Sequence, residues 1–120
     1  MFTLGIIEES LENIDVLEIL KPFFHSQKIE EVDGDEFPIW HTNEYHVPDD
    51  RITELLPVLE QQVKQTWYIH AFNDDKLIVI LPKKSFIISP KKDSTWDDMI
   101  TYGQSMNVER RFLENIPLYV

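Results

Sequence analysis

The chain has 120 residues and a mass of 14.3 kDa, the size of a single domain covering residues 1–120. Hydrophobic residues make up 42% and charged residues 28%, a balance that excludes disorder, collagen and coiled coil as the main architecture. The net charge of −11 makes binding to nucleic acid or to an anionic membrane surface unfavourable, because both require basic residues to neutralise phosphate.

The first half of the sequence predicts two strands and two helices. Residues 2–7 are apolar and indicate a buried strand, and a helix then extends to Lys21, where Pro22 ends it. Residues 38–47 indicate a second strand. Residues 48–63 carry the best helical periodicity of the chain, and Pro57 within them predicts a kink or two short helices.

The second half predicts an antiparallel meander followed by helix. Residues 66–72, 76–81 and 85–89 indicate three strands joined by short turns, and a capping pattern at residues 94–97 begins a helix. A last short helix and an apolar terminal strand at residues 116–120 complete the chain. The sequence therefore predicts an α+β two-layer sandwich in the order β-α-β-α-β-β-β-α. Its sheet has about five strands, antiparallel or mixed, with the helices on one face.

Acidic residues are concentrated in the first half of the chain. Residues 1–60 hold 15 acidic and 3 basic residues, whereas residues 61–120 hold 7 and 8, which disfavours a continuous DNA-mimicking surface. The densest run contains Glu30, Glu31, Asp33, Asp35 and Glu36. We interpret this run, with the neighbouring Trp40, as a docking surface for a basic protein partner. A solvated loop and a calcium site are the alternatives, although the spacing departs from the twelve-residue calcium pattern.

Three side chains on the predicted strands suggest a second kind of site. Glu44 and His46 are two residues apart and share a strand face, and His70 on a neighbouring strand would complete a two-histidine, one-carboxylate metal site. The same residues could anchor a small molecule in a pocket lined by aromatic side chains. A polar pair on a solvated sheet face, beside ordinary aromatic packing, is the structural alternative.

The sequence lacks the motifs of cysteine-based sites, serine hydrolases and phosphate-binding loops. There is no cysteine, no GxSxG elbow and no glycine-rich phosphate loop, since the chain has only three glycines. Residues 1–9 do not have the pattern of a signal peptide, and no run of about 20 apolar residues indicates a membrane span. We therefore predict a cytoplasmic, non-enzymatic protein-binding or regulatory protein without a cofactor. The alternative is a small ligand- or metal-binding protein or enzyme.

One part of the sequence resembles known proteins. The segments WYIHAFND (residues 67–74), KLIVI (76–80), STWD (94–97) and YG (102–103) are similar to a set of small uncharacterised bacterial proteins. The similarity covers about residues 66–103. It implies a bacterial, cytosolic origin, and it transfers neither an activity nor a functional residue to this chain.

Overall fold

The computed structural model describes all of residues 1–120 and contains one antiparallel sheet of six strands with four α-helices. The strands are β1 (Phe2–Ile7), β2 (Phe24–Glu31), β3 (Ile39–Val47), β4 (Ile69–Phe72), β5 (Leu77–Leu81) and β6 (Lys84–Ile88). The helices are α1 (Val16–Leu20), α2 (Asp49–Glu60), α3 (Asp97–Ser105) and α4 (Arg110–Leu113). The strands lie in the order β2-β3-β1-β4-β5-β6, so β2 and β6 are the edges.

The apolar strand β5 has both faces buried. Because successive side chains of a strand point to opposite faces, Leu77, Val79 and Leu81 join one hydrophobic core, whereas Ile78 and Ile80 join another. The first core also contains the buried side chains of α2, and the second contains those of α3 and α4. α2 and α3 therefore pack on opposite faces of the sheet at β5.

Helix α2 follows the predicted periodicity and continues through its proline. Pro48 precedes it, and Asp49 and Asp50 occupy its first turn, where the helix dipole stabilises carboxylates. Its buried side chains are Ile52, Leu55, Leu56 and Leu59. Pro57 is on the exposed side, so packing of the opposite side holds the helix together across the missing hydrogen bond. None of the helices is both long and apolar enough to cross a membrane.

The α+β class and the single antiparallel sheet agree with the prediction, but the details differ. The sheet has six strands, not five, because residues 24–31 form the unpredicted edge strand β2. All eight of its residues are exposed, so it lacks the alternation of apolar side chains that identifies a half-buried strand. The element order becomes β-α-β-β-α-β-β-β-α-α. The prediction that the helices lie on one face is wrong, because α3 and α4 pack on the face opposite α2. Residues 116–120 do not form a strand.

Candidate functional site

Glu30 and Glu31 of the acidic run end β2, and Asp33, Asp35 and Glu36 lie in the connection to β3, residues 32–38, which we call the acidic loop. The backbone N–H of Val32 donates a hydrogen bond to the carbonyl of Pro38 (2.8 Å), which closes the base of the loop. Within the loop, the carboxylate of Asp35 accepts a hydrogen bond from the N–H of Phe37 (2.9 Å). Gly34 has a φ of +78°, which favours glycine over residues with a side chain. These local contacts give the acidic loop a defined conformation.

This loop forms one wall of a cleft of about 590 Å³ on the sheet face that does not contact α2. The floor is formed by β1, β3 and β4, and the opposite wall by residues 107–112 and 117–120. The aromatic residues of the lining are Trp40, Trp67, Tyr68, Phe112 and Tyr119, and its charged groups are Glu30, Asp35, Glu36, Glu109 and Lys28. Lys28 lies 3.6 Å from Glu30, and Arg111, which does not line the cleft, lies 2.7 Å from Glu109. Asp35 and Glu36 make no ion pair, so the cleft is anionic at the acidic loop.

Aromatic rings pack together beneath the acidic loop. The rings of Trp40 and Trp67 meet edge to face, with centroids 5.2 Å apart, and Phe37 lies 6.1 Å from Trp67. The ammonium group of Lys64 is 4.8 Å from the centroid of the Phe37 ring, a cation–π contact within the chain. These rings provide flat apolar surfaces next to carboxylates.

Trp40 also carries a polar atom without a partner. Its indole Nε1 is buried and makes no hydrogen bond within the protein. A buried donor left unpaired costs about 1–3 kcal/mol, so most such groups have a partner. Trp40 lines the cleft, but Nε1 itself has almost no accessible surface, so an acceptor atom of a ligand reaches it only after the indole or its neighbours rotate.

His70 is held in the floor of the cleft by the C-terminal segment. Its ring stacks on Phe72, with centroids 5.7 Å apart, and its Nε2 donates a hydrogen bond to the carbonyl of Tyr119 (3.1 Å). Burial lowers the pKa of His70, and the hydrogen bond to Tyr119 offsets part of this effect. Burial, with the nearby Tyr119 phenol, raises the pKa of Tyr68 to about 12. Both side chains are therefore neutral near pH 7.

Gly5 allows the His70 ring and the C-terminal residue to lie directly on the sheet. A Cβ atom at Gly5 would be 2.8 Å from Cε1 of His70 and 2.9 Å from Cγ2 of Val120. Both distances are shorter than an ordinary carbon–carbon contact of about 3.5–4.0 Å. The absence of a side chain at residue 5 is therefore a condition for this wall of the cleft.

The structure groups the predicted metal ligands differently. Glu44 and His46 lie together, with Oε2 and Nε2 2.6 Å apart, but the third member of the group is His25 of β2. His70 instead donates a hydrogen bond to the backbone carbonyl of Tyr119. The reason is strand order: Gly5 of β1 pairs with Glu44 on one side and with His70 on the other. Two strand spacings, about 9.6 Å, thus separate the two backbones.

Of the residues predicted for partner binding, Glu30, Asp35, Glu36 and Trp40 line the cleft, whereas Glu31 and Asp33 do not. The sequence-based site did not include Trp67. It also missed the wall formed by residues 117–120. No local pattern identifies this wall, because residues 117–120 form neither a helix nor a strand.

A second histidine–carboxylate pair lies on the other face of β3. The carboxylate of Glu9 accepts hydrogen bonds from the backbone N–H (2.7 Å) and from Nδ1 (2.8 Å) of His41. Burial raises the pKa of Glu9, but these hydrogen bonds outweigh it and leave that pKa below 4.5. The same contact raises the pKa of His41 above 6.5.

These shifts predict a pH window for the pair. Glu9 stabilises the fold above pH 4.5 and loses this effect as the pH falls through its lowered pKa. His41 stabilises the fold fully below pH 6.5 and loses this effect as the pH rises through its raised pKa. We expect His41→Gln to lower the melting temperature most between pH 4.5 and 6.5, and least above about pH 8. A decrease in melting temperature that is the same at every pH would contradict this assignment. Glu9→Gln removes the other partner of the pair, so it should lower the melting temperature with the same pH dependence.

Comparison with known proteins found no match among protein-family models, characterised proteins or solved structures. The similarity of residues 66–103 to small bacterial proteins therefore stays a prediction, and the functional argument depends on the site itself.

Proposed function

We propose that this protein binds a basic partner protein by taking a lysine- or arginine-bearing segment of it into the cleft beneath the acidic loop. The observation that carries the proposal is the meeting of Asp35, Glu36 and Glu30 with Trp40 and Trp67 around one cleft. The carboxylates supply charge and the indole rings supply cation–π surfaces, the two features that recognise a cationic side chain.

One contact and one unpaired donor within the chain support a peptide as the ligand. Lys64 already places an ammonium group over Phe37, so the aromatic cluster accepts a cation in the free protein. The buried Nε1 of Trp40 lacks an acceptor, and rotation of the indole toward the cleft would let a peptide carbonyl next to the basic side chain supply one. A bare amine would satisfy the carboxylates but would leave the indole N–H unpaired.

A small cationic molecule is the second candidate. The cleft volume of about 590 Å³ falls within the range of about 300–1,000 Å³ that is typical of small-molecule sites. The lining combines aromatic rings with a few polar groups, as such sites do. Free amines therefore belong in the same experiment as peptides.

The test uses short capped peptides of equal length with Arg, Lys, Gln or Glu at the central position. We expect calorimetric binding of the Arg and Lys peptides, weakened by added salt, and none of the Glu peptide. The capped Arg peptide should bind more tightly than agmatine, which carries the guanidinium group without a carbonyl, if the backbone carbonyl contributes. Equal binding of the Gln and Arg peptides, or no binding of either basic peptide, would contradict the proposal.

The acidic loop also allows a matched substitution experiment. We expect Asp35→Asn with Glu36→Gln to weaken the Arg peptide at least about tenfold, since a hydrogen bond to a charged group contributes about 1.5–3 kcal/mol. Asp74→Asn with Asp75→Asn removes the same charge from the exposed turn between β4 and β5. This control should bind like the native protein. Equal weakening by both pairs would show that net charge, not the cleft, attracts the peptide.

A further inference from the structure

We propose that His25, Glu44 and His46 form a binding site for a divalent transition-metal ion, with Zn²⁺ as the ion that tests it. The three side chains come from the adjacent strands β2 and β3 and are not among the residues that line the cleft. This proposal does not depend on peptide binding, and either one can fail alone.

The spacing of the ligand atoms suits a metal ion. The Oε2 atom of Glu44 lies 2.6 Å from Nε2 of His46 and 3.8 Å from Nε2 of His25. The three ligating atoms all lie within 4.8 Å of one another. Zinc bonds of about 2.0–2.2 Å in tetrahedral geometry place ligand atoms about 3.4 Å apart. The observed contacts bracket that value. Because a bound metal lies in the plane of each imidazole and the two rings are stacked at 19° to each other, coordination requires rotation of at least one of the two histidine side chains.

A local irregularity of β2 places the third ligand. Phe24 pairs with Tyr45 of β3, but the next pair joins Ser26 to Glu44, so His25 is an extra residue in a β-bulge. A bulge disrupts the ladder and redirects a side chain, and bulges are enriched beside functional sites. Here the His25 ring lies stacked against the His46 ring, with centroids 4.0 Å apart. Without the extra residue, the pairing at Tyr45 and Glu44 would leave no position for His25.

The ligand set indicates the class of metal. Two imidazoles and one carboxylate favour Zn²⁺, Co²⁺ or Ni²⁺, whereas Mg²⁺ and Ca²⁺ favour oxygen ligands throughout. The side chains of His25, Glu44 and His46 are 53%, 24% and 38% exposed. The ion can therefore reach the ligands from solvent, and water can fill its remaining coordination positions.

Calorimetric titration of the full chain, purified without a histidine tag, tests the site. We expect one Zn²⁺ per chain and no heat with Mg²⁺. His25→Ala should weaken Zn²⁺ at least about tenfold, since even the loss of an outer-shell partner costs about 10–100-fold in metal affinity. His25 lies on the exposed edge strand, so this variant tests the ligand without disturbing a core. Glu44→Gln and His46→Ala should have the same effect.

His41→Ala is the matched control. His41 lies on the same strand as His46, its side chain is also 38% exposed, and it also contacts a glutamate, but it occupies the opposite face. This variant should bind Zn²⁺ like the native protein, and Zn²⁺ should shift the ring NMR signals of His25 and His46 but not those of His41 or His70. Absence of Zn²⁺ binding, equal weakening by His41→Ala, or loss of binding in His70→Gln with retention in His25→Ala would overturn the proposal.

Discussion

Replacing Trp96 by alanine is expected to remove about 3–5 kcal/mol of stability, the range for deleting a large buried aromatic side chain. Trp96 is only 3% exposed and lies immediately before α3, in the second core with Met99 and Ile100. Its Nε1 donates a hydrogen bond to the carbonyl of Ser89 (2.7 Å), which ties α3 to the segment after β6. Alanine would leave a cavity and an unpaired carbonyl.

Two further variants separate these contributions in urea unfolding. Trp96→Phe keeps most of the apolar volume but loses the donor, so its cost should be about 1–3 kcal/mol. Ile87→Ala changes an exposed side chain of β6, and should stay within about 0.5 kcal/mol of the native protein. A loss in Trp96→Ala no larger than that in Trp96→Phe would show that the hydrogen bond, not packing, holds α3 on the sheet.

Elements with a buried apolar pattern could be predicted from the sequence, and those without one could not. The uninterrupted apolar run of β5 indicates a strand covered on both faces, and α2 has the periodicity of a helix with one buried side. Strand β2 has no buried face, so neither period 2 nor period 3.6 appears in its residues. The prediction that all helices cover one face was wrong, because strand order determines which face α3 meets and local sequence does not specify that order.

In the candidate sites, contacts between residues close in the sequence could be predicted, whereas contacts that depend on strand pairing could not. Local sequence places the acidic residues next to Trp40, and this proximity persists in the cleft. The pairing of Glu44 with His46 follows from their two-residue spacing on β3. His25 and His70 could not be assigned to these groups correctly, since one depends on a bulge in β2 and the other on β1 lying between β3 and β4. Both features are set by tertiary pairing.

Gly5→Val is expected to lower both stability and peptide binding. In an unobstructed central strand, valine would stabilise the fold, because glycine there costs about 0.5–1 kcal/mol and β-branched residues favour strands. Here the new side chain would overlap His70 and Val120, whose atoms would lie 2.8 and 2.9 Å from its Cβ. We expect a net loss of about 1–3 kcal/mol, the usual cost of overpacking.

Whether Gly5→Val raises or lowers the free energy of unfolding shows whether the new side chain overlaps His70 and Val120. Both displaced groups line the cleft, so in Gly5→Val the Arg peptide should bind at least about tenfold, or 1.4 kcal/mol, more weakly. Thr3→Val is the control, because it places a branched side chain of similar size on the same face of β1 and overlaps nothing new. Urea unfolding should show Gly5→Val less stable than Thr3→Val. If Gly5→Val instead stabilised the protein, His70 and the C-terminal segment could not lie against β1, and the cleft would lack the wall on which peptide binding depends.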